Sequence, residues 1–264
     1  MDDNNYIFHS SCQVVNLADI YKKYFGFKPD GFFIDIGAYD GLTHSNTIGL
    51  SLAGWGGICY EPVPQFYQIC AMNHQKNNNV KVINKAIGNR NGTIEFYVAG
   101  PLSTYSDYYK NTNYWKNDYQ AAYPITVEIT RLDDSLYENN VPTGFDVMSL
   151  DVEGSETDVL MYFNINHWKP KMVIVEAQEQ HPAVELRNQA PFINKYFYDA
   201  GYDKIYSDEI NNIYVRNEKK AKEVVKKKAK EEEKEIKKMK ERREKIPLLE
   251  VNDSIIVSES SVGE

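Results

Sequence analysis

Cysteine is scarce in this chain: Cys12, Cys59 and Cys70 are the three in 264 residues. They are few, odd in number and not spaced as ligand pairs. That excludes a disulfide framework and reads as reduced thiols in a cytoplasmic protein. Also lacking is any apolar run of about eighteen residues, so no segment is expected to span a membrane. The opening Met1-Asp2-Asp3-Asn4-Asn5 has neither the basic start nor the apolar stretch of a secretory leader. Basic residues are short over positions 1–215, with 15 Lys/Arg against 26 Asp/Glu. An acidic body is a poor partner for nucleic acid, because phosphate contacts need clustered Lys and Arg.

The charge reverses near the end. Positions 216–246 carry 15 Lys/Arg and 8 Glu, and positions 247–264 carry four acids and no base, which brings the whole to −8. With 42% hydrophobic residues the chain can bury a core over most of its length. Its size suits one α/β domain with an appendage. Residues 1–30 read as a helical lead-in, with Leu17, Ile20, Tyr21, Tyr24 and Phe25 at helical spacing. Buried strands are expected at 32–36, 57–61, 80–84, 145–150 and 172–175, with helices at 44–53, 64–76, 183–199 and from about Ser155. Further strands are expected after the Asn91-Gly92 turn and at 125–129, and a closing hairpin at 202–206 and 212–215. Alternation of this kind implies a doubly wound, mostly parallel sheet, and such sheets bind ligands at the carboxyl ends of their strands.

The residues at those ends are acidic. The first strand runs into Asp35-Ile36-Gly37-Ala38-Tyr39-Asp40-Gly41, and the second ends at Glu61. Glycines allow a tight turn and close approach of a ligand. An acid placed like Glu61 accepts hydrogen bonds from ribose hydroxyls. A nicotinamide dinucleotide would need a fuller glycine fingerprint, and its pyrophosphate is repelled by Asp35 and Asp40. S-adenosylmethionine has no phosphate and carries a sulfonium and an ammonium, so the acids suit it better.

The stretch Gly31 to Gly41, then Ser45-Asn46-Thr47, Gly54 to Pro62, Ala86-Ile87-Gly88, Leu132-Asp133-Asp134 and Val147 to Glu156 resembles the FkbM family of methyltransferases. The likeness covers roughly residues 28–180. It implies a class I, Rossmann-like methyltransferase fold with a seven-stranded sheet over residues 31–216, followed by a charged C-terminal helix. It also implies S-adenosylmethionine as cofactor and O-methylation, mainly of natural products and glycans. Asp35, Gly37, Ala38, Asp40 and Gly41 would shape the methionine pocket, with Ser45 or Asn46 near its carboxylate. Glu61 and Pro62 would hold the ribose, and Asn84, Lys85 and Ala86 would lie beside the adenine. Met72-Asn73-His74 departs from the family, standing where many members have Asn-Arg.

For the methyl acceptor, two routes are open. A hydroxyl must lose its proton, and Asp151, Glu153 or His181 could take it. Alternatively Asp151 and Glu176 could hold Mg²⁺, as hard oxygen ligands do. Glu156 fits equally well as an acid at a helix start. Residues 100–124 hold seven aromatics among few bases and suit an acceptor lid, which favours a sugar or other small acceptor over RNA. Residues 217–246 are rich in Lys and Glu and should be helical, able to dock on an acidic partner or to self-associate. Residues 247–264 are expected to be flexible. The alternatives to a glycan O-methyltransferase are a methyltransferase of nucleic acid or protein docked by that basic tail, and a cofactor-binding module without catalysis.

Overall fold

The computed structural model describes residues 12–244. The first part of the expected lead-in and the expected flexible end at 247–264 lie outside the described residues. The strands are β1 (Phe32–Ile36), β2 (Gly56–Tyr60), β3 (Val80–Ile83), β4 (Ala86–Ile87), β5 (Gly92–Val98), β6 (Tyr123–Thr130), β7 (Val147–Leu150), β8 (Met172–Glu176), β9 (Tyr202–Ser207) and β10 (Asn211–Arg216). The helices are α1 (Leu17–Phe25), α2 (Ile48–Leu52), α3 (Pro64–His74), α4 (Asp107–Lys110), α5 (Leu132–Glu138), α6 (Glu156–Met161), α7 (Ile165–Trp168), α8 (Ala190–Tyr198) and α9 (Glu218–Glu244). Among the described residues no helix is long and apolar enough to cross a membrane.

Seven strands form the main sheet in the order β3-β2-β1-β7-β8-β10-β9. The first five are parallel, and β10 runs antiparallel to both β8 and β9. This is the doubly wound sheet that the alternation implied. The central strands β1, β2, β7 and β8 are buried and largely apolar because both faces are covered. Successive side chains point to opposite faces, so Ile34, Ile36, Met148, Leu150, Val173 and Val175 join one core while Phe33, Cys59, Val147 and Ile174 join the other. Asp146, just before β7, ties the amino ends together. It accepts from Lys28 Nζ and Lys171 Nζ at 2.7 Å each and from Phe32 N at 3.0 Å.

Some expectations are redrawn. The strands read at 93–98 and 125–129 stand outside the main sheet and form a second one, ordered β4-β6-β5, in which β6 pairs with both β4 and β5. Apolar alternation reports that a strand exists but not which sheet takes it. The helix expected at 44–53 shrinks to α2, because Ser45 Oγ accepts from Thr47 N and Ile48 N and His44 adopts φ 58°. Short polar side chains compete with helix bonds in this way. The helix expected at 183–199 is 3₁₀ over Val184–Gln189 before α8 begins, with Pro191 in its first turn. A second compact unit begins at Glu223 and contains most of the highly charged α9.

Candidate active site

The site is built where β1, β2, β7 and β8 end. After β1 the chain turns at Gly37, whose φ is +85°. A Cβ there would stand 1.7 Å from the Asp151 carbonyl oxygen, so only glycine lets the turn pass against the end of β7. Gly37 N and Ala38 N both donate to the Tyr60 carbonyl at 3.0 Å, which locks the turn to β2. Glu61 is buried and takes Val63 N on Oε1 at 2.7 Å and Tyr39 N on Oε2 at 2.9 Å. Burial, opposed by those two N–H groups and reinforced by Asp35, pushes its carboxyl up to about 8. Asp35 is also buried and accepts from Thr47 Oγ1 at 2.5 Å. Burial raises it to about 6, against the pull of Thr47 and with a push from Asp151.

Two cavities open on this turn, and Gly37, Tyr39, Pro101, Asp151 and Glu153 line both. Glu61, Pro62, Lys85 and Ala86 line the first. Asp35, Ala38, Ser45, Asn46 and Gln13 line the second. Asp151 and Glu153 line both cavities, and Glu176 stands beside them, each of the three offering an oxygen within 4.8 Å of the others'. Asp151 Oδ1, Glu153 Oε2 and Glu176 Oε2 are buried and accept no hydrogen bond from any described residue. Burial raises all three carboxyls, and the mutual repulsion of their charges adds to this for Glu153 and Glu176. Buried anionic oxygens without donors call for a proton or a cation. Tyr39, His44, Glu153 and Gln178, all around this site, adopt positive φ without being glycine. Such strained backbone gathers at functional sites.

The aromatic segment packs onto this cluster. Tyr109 is buried, with its hydroxyl donating to Glu176 Oε1 at 3.3 Å and receiving Gln178 Nε2 at 2.7 Å. Gln178 Nε2 also reaches Glu176 Oε1 at 2.6 Å. Burial and the charges of Glu176, Glu153 and Glu156 raise the Tyr109 phenol far above its ordinary value, so it stays neutral. Other rings are spent on the protein itself. Tyr108 donates to the Glu185 carbonyl, Tyr119 to the Leu102 carbonyl, and Tyr114 stands edge-on to Trp115 and His181. Tyr105 alone of the segment's aromatics lines the first cavity.

Several residues singled out from sequence stand elsewhere. Asp40 is a turn cap, with Oδ1 accepting from Leu42 N and Thr43 N and Oδ2 from Thr43 Oγ1. Asp40, Gly41, Asn84 and His181 line neither cavity. Asn84 Nδ2 holds the Glu61 and Pro62 carbonyls, at 2.8 and 2.9 Å. His181 Nδ1 accepts from Ala183 N at 3.1 Å beneath the aromatic segment. Glu156 braces the loop after β7, taking Val152 N and Gly154 N on one oxygen and Gln189 Nε2 on the other. Gln13 escaped the sequence reading, whereas Thr47 and Tyr109 stood there only as members of a motif and of the aromatic segment, without their bonds to Asp35 and Glu176. Gln13 Nε2 reaches Asp151 Oδ2 at 3.0 Å from a segment far away in the chain, and no local pattern marks it.

Residues 35–204 match the Methyltransferase FkbM domain, more than half of the chain. The 2-O-methyltransferase NoeI of Sinorhizobium fredii is 27% identical over 161 residues, covering 58% of this chain. The match takes in 65% of NoeI, so the chain spans slightly less than two thirds of that relative's length. Among solved structures, the chain is similar to an O-methyltransferase from Bacillus cereus in complex with SAH, at 12% identity and TM-score 0.39, covering 77% of this chain and 83% of that one. It is also similar to precorrin-6y C5,15-methyltransferase from Geobacter metallireducens, at 10% identity and TM-score 0.40, covering 81% and 96%.

Proposed function

The chain belongs to the FkbM methyltransferase family, and from that premise we propose that this S-adenosylmethionine-dependent enzyme methylates a sugar hydroxyl of a glycan or glycosylated metabolite. The observation that carries the reading is the convergence of Asp151, Glu153 and Glu176, with three unpartnered oxygens, the first two of these acids lining both cavities. The oxygen specificity in the name of NoeI supports an O-acceptor.

The residues present fit the cofactor. The first cavity suits the nucleoside: of its lining residues, Glu61 would hold the ribose, and Lys85 and Ala86 would lie beside the base. Ionised or protonated, the Glu61 carboxyl retains hydrogen-bonding capacity for ribose hydroxyls beside its two backbone donors. The second cavity suits the methionine portion, where Asp35 and Asp151 offset its cationic charge and Ser45, Asn46 and Gln13 offer polar groups. When bound, S-adenosylmethionine supplies an electrophilic methyl on its sulfonium.

The chain's own contribution is alignment and proton removal. Glu153 and Asp151 reach both cavities and are placed to take the acceptor's proton; Glu176 lies behind them, held by Tyr109 and Gln178. The same three carboxylates would also hold Mg²⁺, which would lower the pKa of the acceptor hydroxyl. Dialysis against EDTA followed by Mg²⁺ separates the two routes. Turnover lost and restored assigns a metal role, and unchanged turnover assigns the proton to a carboxylate alone. His181, bonded within the aromatic packing, is given no proton to carry.

The test of the acceptor class is transfer of labelled methyl from S-adenosylmethionine to a panel of sugars and glycosylated metabolites. Label in an alkali-stable methyl ether of a sugar supports the proposal. Label confined to added RNA or protein would overturn it.

A further inference from the structure

A second cluster lies under the cofactor turn, away from the acids that meet the acceptor. Cys59 on β2 faces Cys70 and His74 on α3, and their ligand atoms all lie within 4.8 Å of one another. Cys59 Sγ and His74 Nε2 are 3.6 Å apart. That is close to the spacing of two ligands sharing one zinc ion, whose Zn–S and Zn–N bonds are about 2.3 and 2.0 Å in tetrahedral sites. Cys70 and His74 stand one helical turn apart, so they share one face of α3. His74 Nδ1 lies 2.9 Å from Ser51 Oγ. A hydrogen bond from the far ring nitrogen fixes the tautomer and leaves Nε2 free to ligate, as outer partners of metal-bound histidines do. Cys59, Cys70 and His74 are all buried.

We propose that Cys59, Cys70 and His74 form a buried zinc site that braces the cofactor turn from below. The choice of a divalent ion follows from charge. Two thiolates and a neutral imidazole cancel Zn²⁺, whereas a monovalent ion would leave net negative charge in the core. Asp35 pairs with Cys59 in the sheet register and already places a carboxyl there, so that excess would be costly. The link to the turn is Gly41, at φ +72°. A Cβ on Gly41 would come within 2.8 Å of Cys70 Sγ and 3.0 Å of His74 Nε2. The turn therefore rests directly on two of the ligands. Ion binding removes the two thiol protons to solvent and involves no redox change.

Co²⁺ serves as the spectroscopic probe, added to reduced, chelator-treated full-length protein under anaerobic conditions. One equivalent is expected to give an intense near-ultraviolet thiolate-to-cobalt band, bleached by one equivalent of Zn²⁺. Cys70→Ser is expected to lose the band, with circular dichroism checking that the variant folds. Glu153→Gln, which alters the acidic cluster, is expected to keep the band. Zn²⁺ is expected to raise the melting temperature of the wild type by several degrees and that of Cys70→Ser by none. Wild-type protein that binds Co²⁺ without the thiolate band, or binds none, overturns the proposal. So does a wild-type band that survives in folded Cys70→Ser.

Discussion

At the scale of single residues, the site depends on contacts too close to tolerate change. Gly37→Ala sets a methyl against the Asp151 carbonyl and strains a turn at φ +85°. A cost on the order of 2–3 kcal/mol is expected in chemical denaturation. Calorimetry should show S-adenosylmethionine affinity falling at least tenfold. Unchanged affinity would mean that the turn does not touch the cofactor. Asp146 permits a prediction with a sign. Burial alone would raise its carboxyl, but Lys171, Lys28 and the Phe32 N–H outweigh it and hold it below the ordinary value. A depressed folded pKa contributes stability above the unfolded value of about 4, and that stability is lost as pH falls through the folded value. Asp146→Asn should lose on the order of 2 kcal/mol at neutral pH, with half-exposed Lys171 limiting the effect. Urea melts should show the gap to wild type closing below about pH 4; a gap that widens with acid would contradict the assignment.

At the scale of elements, the aromatic segment with α4 is tied to β8 through Tyr109, Glu176 and Gln178. Tyr109→Phe removes that hydroxyl and keeps the ring. The acceptor KM is expected to rise about threefold to tenfold, since a lost hydrogen bond to a charged group costs about 1.5–3 kcal/mol and part is recovered by Gln178. Affinity for S-adenosylmethionine should not move; a change confined to the cofactor would place the segment on the wrong side of the site. Strand ends were legible in the sequence because buried parallel strands are continuous apolar runs, and Asp35, Glu61, Asp151 and Glu176 stand at or beside their ends. Asp40 misled because an acid in a turn is as readily a cap as a ligand. Gln13 and the bond of Tyr109 to Glu176 were not legible, since each reaches the acids across the fold rather than along the chain. Cys59 and His74 meet only when α3 packs on β2, although the four-residue step from Cys70 to His74 was a local sign of a shared face.

At the scale of the whole molecule, one compact unit ends at Lys222 and a second begins at Glu223. The start of α9 belongs to the first. Ala221 is buried, Asn217 N donates to the Gly201 carbonyl at 3.0 Å, and Lys220 pairs with Asp203 at 3.1 Å. A chain ending after Lys222 should keep the full-length melting temperature and cofactor affinity. One ending after Arg216 should lose on the order of 1–2 kcal/mol as Ala221 and its bonded neighbours go. Equal melting of the two would move the boundary back to the strand. A doubly wound, mostly parallel sheet was implied by the alternation of strands and helices, whereas its strand order and the position of this boundary depend on contacts that composition does not reveal.

On the proposed function, Asp151 and Glu153, which line both cavities, act on the acceptor rather than merely holding the cofactor. Single-turnover methyl transfer by Glu153→Gln, measured beside its Kd for S-adenosylmethionine, tests it directly. The expected result is a Kd within threefold of wild type and a transfer rate lower by about a hundredfold or more, the usual contribution of a positioned base. Near-normal transfer, or a loss matched by weaker cofactor binding, would contradict it.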